Sequence, residues 1–217
     1  MKKKLLNILV SAGATREPLD PVRFISNYST GFLGCEIARE AKRRGHRVIL
    51  ISAAVSSAKP LGVRSVNVQT AGQMQDEINA RFNWCDCLVM AAAVCDFRPQ
   101  EPAGKKIKRG KRKNLTLKLK QNPDILKGLA KRKGGKIVVG FALETENLKK
   151  NAQDKLREKK LDLIVATQIK TSSCPFGETR IDVLLIDRKA NIQRVKKTTK
   201  TALARILLDT IEKIVLT

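Results

Sequence analysis

The stretch Ser11–Gly34, SAGATREPLDPVRFISNYSTGFLG, lies between an apolar run and a helical pattern. Leu5–Ala12 is mostly apolar and short, as a buried strand is. Gly31–Gly45 sets Ile37, Ala38 and Ala41 on one face, which predicts the helix that follows. A strand, a connection and a helix in that order begin an open α/β sheet, whose ligands sit beyond the carboxyl ends of the strands. A few residues suffice for such a connection. This one is long and carries Arg16, Glu17, Asp20, Arg23, Asn27, Ser29 and Thr30, so it is read as a ligand loop.

A dinucleotide site fits poorly. No G-x-G-x-x-G follows the first strand, and the second, Arg47–Ser52, ends in Ile51-Ser52 rather than in an acid for a ribose hydroxyl. A P-loop is excluded because no G-x-x-x-x-G-K-[ST] occurs. What remains is the helix start at Ser29-Thr30-Gly31, whose backbone N–H groups and dipole suit a phosphate. An ordinary helix cap would explain Ser29 and Thr30 but not Arg23 and Asn27 beside them.

The remaining chain alternates strands with helices, which predicts one α/β domain over 1–217 with a mostly parallel sheet. A short strand is expected around Val63–Val68. Thr70 caps a helix to Phe82 whose Met74, Ile78 and Phe82 form a core stripe. Asp86–Ala92 is a buried strand running into Ala93-Val94-Cys95-Asp96-Phe97-Arg98-Pro99. Ala91, Ala92 and Ala93 let a flat ligand approach the backbone. Asp96 suits ribose hydroxyls, an ion-paired or capping aspartate being the plainer alternative. Gln100–Lys113 holds seven basic residues and no acid between Gly104 and Lys113, so it is read as a mobile lid for polyphosphate, or as a solvated loop. Asn114–Lys120 alternates Leu115, Leu117 and Leu119 with polar residues, a half-exposed strand expected to pair across a dimer. Asn122-Pro123-Asp124 starts a helix, with Pro123 near its first turn. Strand Lys136–Ala142 and helix Glu144–Lys160 follow, with Lys155 and Lys159 on one face. Strand Asp162–Ala166, a hairpin of Ile181–Ile186 and Asn191–Val195, and helix Thr198–Val215 complete the chain.

The net charge of +24 invites a nucleic-acid reading. The basic residues are spread over nearly every helix, however, and aromatics are only 4%. No stacking platform or recognition-helix signature is present. Most of the excess is read as solvated surface, with some of it serving anionic small ligands. Five cysteines, an odd count, do not make a disulfide framework, and with one histidine, His46, a zinc site lacks partners. No apolar run reaches membrane-spanning length and Met1-Lys2-Lys3-Lys4 opens no signal peptide, so a cytoplasmic protein is expected.

In order along the chain, SAGATREPLDPVRFISNYSTG, AAAVCDFRP, KIK, NPDIL, VGFALET and the Lys155/Lys159 pair resemble the phosphopantothenate–cysteine ligases of coenzyme A assembly. The resemblance covers nearly the whole chain. It implies a Rossmann-like fold, a homodimer and a two-step ligation: 4′-phosphopantothenate is activated by a nucleoside triphosphate, CTP rather than ATP, and the acyl-nucleotide is then captured by cysteine. Members often carry an N-terminal flavin-dependent decarboxylase; this chain begins at the ligase portion, which implies no flavin. Mg²⁺ is implied on the phosphates, with no carboxylate cage visible. A non-catalytic nucleotide-binding module of the same fold is the competing expectation.

The resemblance also implies roles. Asn27 stabilises the oxyanion and holds the acyl-nucleotide, and Arg23 holds the anionic substrate. Ala92 and Ala93 present backbone to the base, with Asp96 on the ribose. Lys106 neutralises charge at the α-phosphate. Ser29, Thr30 and Gly31 belong to the phosphate-binding helix start. Asn122, Pro123, Asp124, Ile125, Phe141, Lys155 and Lys159 complete the nucleotide site. The sequence departs from the family pattern at Ala14, Tyr28, Phe32-Leu33, Cys95 and Thr167-Gln168, where proline, histidine, Lys-Met, alanine and Asn-Asp are usual. Cys95 is not read as a nucleophile.

Overall fold

The computed structural model describes residues 4–110, 113–169 and 175–216. Lys111 and Arg112 of the basic run, and Met1, Lys2 and Lys3, lie outside the described residues. In chain order the elements are β1 (Asn7–Ala12), β2 (Arg16–Pro18), β3 (Phe24–Ser26), α1 (Phe32–Arg43), β4 (Arg47–Ser52), β5 (Arg64–Asn67), α2 (Ala71–Arg81), β6 (Cys87–Met90) and β7 (Phe97–Pro99). Then come β8 (Leu119–Gln121), α3 (Ile125–Leu129), β9 (Ile137–Glu144), α4 (Leu148–Glu158), β10 (Leu163–Gln168), β11 (Ile181–Asp187), β12 (Ile192–Thr198) and α5 (Lys200–Leu216).

Eight strands form one sheet in the order β12-β11-β10-β9-β6-β1-β4-β5. From β5 to β10 they pair in parallel, and β11 and β12 add an antiparallel edge. This bears out the mostly parallel α/β expectation. Alternate residues of β1 feed two cores. Ile8 and Val10 pack with Leu203, Leu207 and Ile211 of α5 and with α1, whereas Leu9 packs with Met74, Ile78 and Phe82 on the α2 side. A strand buried on both faces reads as an unbroken apolar run because neither face needs a polar residue. From β1 the chain moves outward to β4 and β5, then returns to the other side of β1 with β6. The β1/β6 junction is therefore the topological switch point, where such sheets open a crevice.

Several boundaries differ from the sequence reading, each for a local reason. The long loop after β1 contains a hairpin, β2 with β3. Glu17, buried in it, accepts the Ala71 N–H at 2.8 Å and so ties the hairpin to the start of α2. Gly31, in the left-handed region at φ 72°, is the N-cap of α1, not Ser29 or Thr30. Those hydroxyls accept the Gly31 and Phe32 N–H groups at 3.3 and 3.4 Å, shaping the turn that leads in. Of the segment expected as a strand over Asn114–Lys120, only Leu119 and Lys120 are in a strand, β8. Its partner β7 is only three residues long and ends at Pro99, and past it a single bond, Gln100 N–H to the Lys118 carbonyl at 2.9 Å, continues the pairing. Asp124, accepting the Lys127 N–H, caps α3, so Pro123 stands just before the cap, next to the first turn. Finally, β9 continues to Glu144 beside Gln168, which delays α4 to Leu148. Thr70 caps α2 as expected, with Gln73 completing a reciprocal capping box. Among the described residues no helix is long and apolar enough to cross a membrane.

Candidate active site

Two adjoining cavities occupy the carboxyl ends of the strands around the switch point. The larger, about 500 Å³, is lined by the start of α1 (Asn27–Gly34), by Ala91–Val94 after β6, by Phe141 of β9, and by Lys155 and Lys200. The smaller, about 180 Å³, is lined by Ala92, Asp96, Asn122–Leu126, Phe141, Lys155 and Lys159. Ala92, Asp96, Phe141 and Lys155 belong to both, so the two form one continuous groove.

The wall of the groove is built from backbone and hydroxyl hydrogen bonds that lock each loop to its neighbour. Thr15 donates its N–H to the Ala93 carbonyl at 3.2 Å, and its hydroxyl accepts the Cys95 N–H at 2.9 Å. The Ala92 and Ala93 N–H groups go to Ser11 Oγ and the Gly13 carbonyl, at 3.1 and 2.8 Å. Asn27 reaches across the groove, its Nδ2 donating to the Val94 carbonyl at 3.0 Å. That bond uses one of two amide hydrogens and leaves the other free to turn toward a ligand.

Asn122 is a strut. Buried at 6% exposure, it gives its N–H to the Asp96 carbonyl at 2.7 Å and its Nδ2 to the Cys95 carbonyl at 2.8 Å. Asp124 caps α3 and pairs with Lys159 at 3.0 Å. Burial pushes the Asp124 carboxyl up, but the Lys127 N–H and the Lys159 ammonium outweigh it and hold the group below the usual carboxylate range. Lys155 donates to the Phe141 carbonyl at 2.7 Å. Burial, followed by repulsion from Lys159, lowers its pKa below that of an ordinary lysine. Burial raises the Cys95 thiol, whose Sγ donates to the Thr15 carbonyl at 3.4 Å, so it is a poor thiolate.

Arg23 and Lys106 stand apart from this groove. They line a third cavity, about 620 Å³, together with Lys108, Arg109 and Lys113. Sequence reasoning missed Pro175, Phe176, Gly177 and Lys200, which wall the larger chamber. The Phe176 ring stands 6.0 Å from that of Tyr28, across the mouth. Lys200, buried at the start of α5, donates to the Pro175 carbonyl at 2.7 Å and also to that of Gly177. The Pro-Phe-Gly turn after β10 was the available signal. Of the departures from the family pattern, Tyr28, Phe32, Leu33 and Thr167 also line the larger chamber, and Gln168 Nε2 donates to the Thr145 carbonyl at 3.1 Å.

The family model described as the DNA/pantothenate metabolism flavoprotein C-terminal domain matches residues 4–215. The chain is 40% identical over 215 residues to the coenzyme A biosynthesis bifunctional protein CoaBC of Escherichia coli strain K12, covering 96% of this chain and 52% of that protein. It is 38% identical over 211 residues to a cysteine/cysteine sulfinic acid decarboxylase from an unknown prokaryotic organism, covering 95% and 57%. The chain thus spans about half the length of these curated relatives. A crystal structure of the C-terminal domain of CoaBC superimposes with a TM-score of 0.83 at 32% identity, covering 99% of this chain and 98% of that one.

Proposed function

This chain belongs to the DNA/pantothenate metabolism flavoprotein C-terminal domain family, and from that premise we propose that it is the ligase of coenzyme A biosynthesis that joins 4′-phosphopantothenate to L-cysteine. The observation that carries this reading is the convergence in one groove of Asn27, Ala92, Asp96, Phe141 and Lys155, drawn from four separate sequence motifs. In the first step a substrate carboxylate oxygen attacks the α-phosphorus of CTP and pyrophosphate leaves. In the second, the cysteine amine attacks the acyl carbon, an amide forms, and CMP leaves with the carboxylate oxygen. A free carboxylate resists an amine because oxide is a poor leaving group; esterification to phosphate removes that barrier.

In this reading the carbonyls after β6 meet the exocyclic amine of the base and Asp96, exposed at the rim, takes the ribose. The start of α1 faces a phosphate through its N–H groups. Lys155 and Lys159 offset polyphosphate charge. Among the described residues no three His, Cys, Asp or Glu side chains gather as a metal site. The donor set therefore suits Mg²⁺ that arrives bound to the triphosphate as part of the co-substrate. Residues 1–217 act as one ligase domain, and a homodimer belongs to the proposal. Leu115, Leu117 and Leu119, exposed at 47, 38 and 45%, offer an apolar strip for a second copy, which sedimentation at micromolar concentration would detect.

The deciding experiment measures pyrophosphate release with 4′-phosphopantothenate and Mg²⁺, with CTP and ATP in parallel, with and without cysteine. Sustained, cysteine-dependent release with CTP and weaker release with ATP is expected. Nucleotide binding without turnover would instead identify a non-catalytic module, and ATP bound as tightly as CTP in calorimetry would overturn the choice of nucleotide.

Lys155 supplies a pH signature. Its lowered pKa means that it becomes neutral at a lower pH than an ordinary lysine, so attraction for the triphosphate fades early on the alkaline side. CTP affinity measured by calorimetry is expected to fall there. Lys155→Gln is expected to weaken binding by about 10- to 100-fold, the worth of one charge-assisted hydrogen bond, and to abolish that alkaline limb. A variant that keeps the limb would remove Lys155 from the site.

A further inference from the structure

The geometry points to Asp20 as a positioning residue that docks the basic segment 104–110 onto the β2–β3 hairpin and so keeps Lys106 beside Arg23 in one anion-binding cavity. The anion is a phosphorylated carboxylic acid if the ligase reading holds; the docking itself does not depend on that reading. Asp20 lies in the turn of the hairpin with its side chain enclosed, at 0% exposure. One carboxylate oxygen accepts the N–H groups of Val22 and Arg23, both at 2.8 Å, which shapes the turn. The other accepts Arg23 Nε at 3.0 Å, Arg23 Nη2 at 2.5 Å and the Ile107 N–H at 3.0 Å. Arg23 Nη2 donates in turn to the Ile107 carbonyl at 2.7 Å. The ion pair therefore grips both polar groups of a single residue, Ile107, with the Ala103 N–H on the Leu19 carbonyl as a second anchor at 2.9 Å.

The segment gives a physical reason for such a grip. Lys105, Lys106, Lys108 and Arg109 repel one another and the segment has no acid of its own. A carboxylate supplied from outside it counters that repulsion. Asp20 sits behind the cavity wall, while the lining of Arg23, Lys106, Lys108, Arg109 and Lys113 contains no acid. The cavity consequently presents cations from two chain segments to the same ligand. The Arg23 guanidinium beside Asp20 holds its carboxyl far below the usual carboxylate range, so the grip persists through mild acid.

Two variants test this. Asp20→Asn sets an amide N–H against one of the donors it now accepts. Ile107→Pro removes the docked N–H and leaves the Asp20–Arg23 pair intact, so it serves if the first disturbs the hairpin. Trypsin cleavage after Lys108 and Arg109, without ligands, is expected to run about tenfold faster in both variants, with the sheet core equally resistant. The kcat for pyrophosphate release is expected to fall about tenfold while CTP affinity stays at the wild-type value, a split that general destabilisation would not produce. Wild-type cleavage rates in both variants would overturn the docking, and faster cleavage with unchanged kcat would overturn the positioning of Lys106. If the wild-type protein releases no pyrophosphate, the ligase reading fails, and the cleavage arm still decides the docking.

Discussion

Replacing Asn27 with alanine is expected to slow amide formation by about 10²–10³-fold, the usual cost of losing one oxyanion donor. In the proposed second step, negative charge would develop on the acyl oxygen as the cysteine amine adds, and a fixed amide N–H aimed at it would lower the barrier. Asn27 is pre-aimed: its bond to the Val94 carbonyl at 3.0 Å sets the side chain across the groove before any ligand arrives. The proposed first step would put its charge on phosphate oxygens instead, where the lysines and helix N–H groups are proposed to act. A single turnover with radiolabelled CTP separates the two. Asn27→Ala should release one equivalent of pyrophosphate at close to the wild-type rate and then accumulate acyl-nucleotide, slowly discharged by cysteine. Equal slowing of both steps would remove Asn27 from the oxyanion role.

The second large effect is on stability. Gly31→Ala is expected to destabilise the protein by about 2–5 kcal/mol, combining left-handed backbone strain of about 1–2 kcal/mol with overpacking of about 1–3 kcal/mol. A Cβ at Gly31 would stand 2.4 Å from Val55 Cγ1 and 2.9 Å from both the Cα and the N of Gly13. Val55 can shift; the Gly13 backbone, sandwiched in the loop after β1, cannot shift cheaply. For a chain of this size the melting temperature should drop by roughly 5–20 °C. Gly45→Ala is the control. It too has a positive φ, 88°, but a Cβ there meets only Leu5 Cδ2 at 3.6 Å, so it should cost only the backbone strain. Similar losses from both variants would show that close packing at Gly31 contributes nothing.

Much of the architecture was legible in the sequence because the cores select by burial. The sequence reading of β4 as Arg47–Ser52 matches the strand to the residue, and β1, β6, β9 and β10 were recognised as apolar runs. The Met74–Ile78–Phe82 stripe is core, each residue at 0% exposure. What failed were the segments whose structure depends on a distant partner. β2 and β3 carry no apolar alternation, since their hairpin is held by Asp20 in its turn and by Glu17 on α2. Conversely, the regular alternation of Leu115, Leu117 and Leu119 predicted a longer strand than its short partner can pair.

The same division runs through the site. The long loop holding Arg23 and Asn27, the alanines after β6 and Asp96 stand out by residue type and position, whereas only the family resemblance assigns Lys155 and Lys159 to the same proposed site. The meeting of Asn27, Ala92, Asp96 and the two lysines in one groove follows from the parallel sheet, which places every strand-to-helix connection at the same edge. The grouping of Arg23 with Lys106, the bracing by Asn122, and the wall of Phe176 and Lys200 were decided by tertiary structure alone. Each depends on a contact between segments far apart in the chain. A hydrogen bond of that kind leaves no periodicity in sequence, since its geometry exists only once both segments are packed.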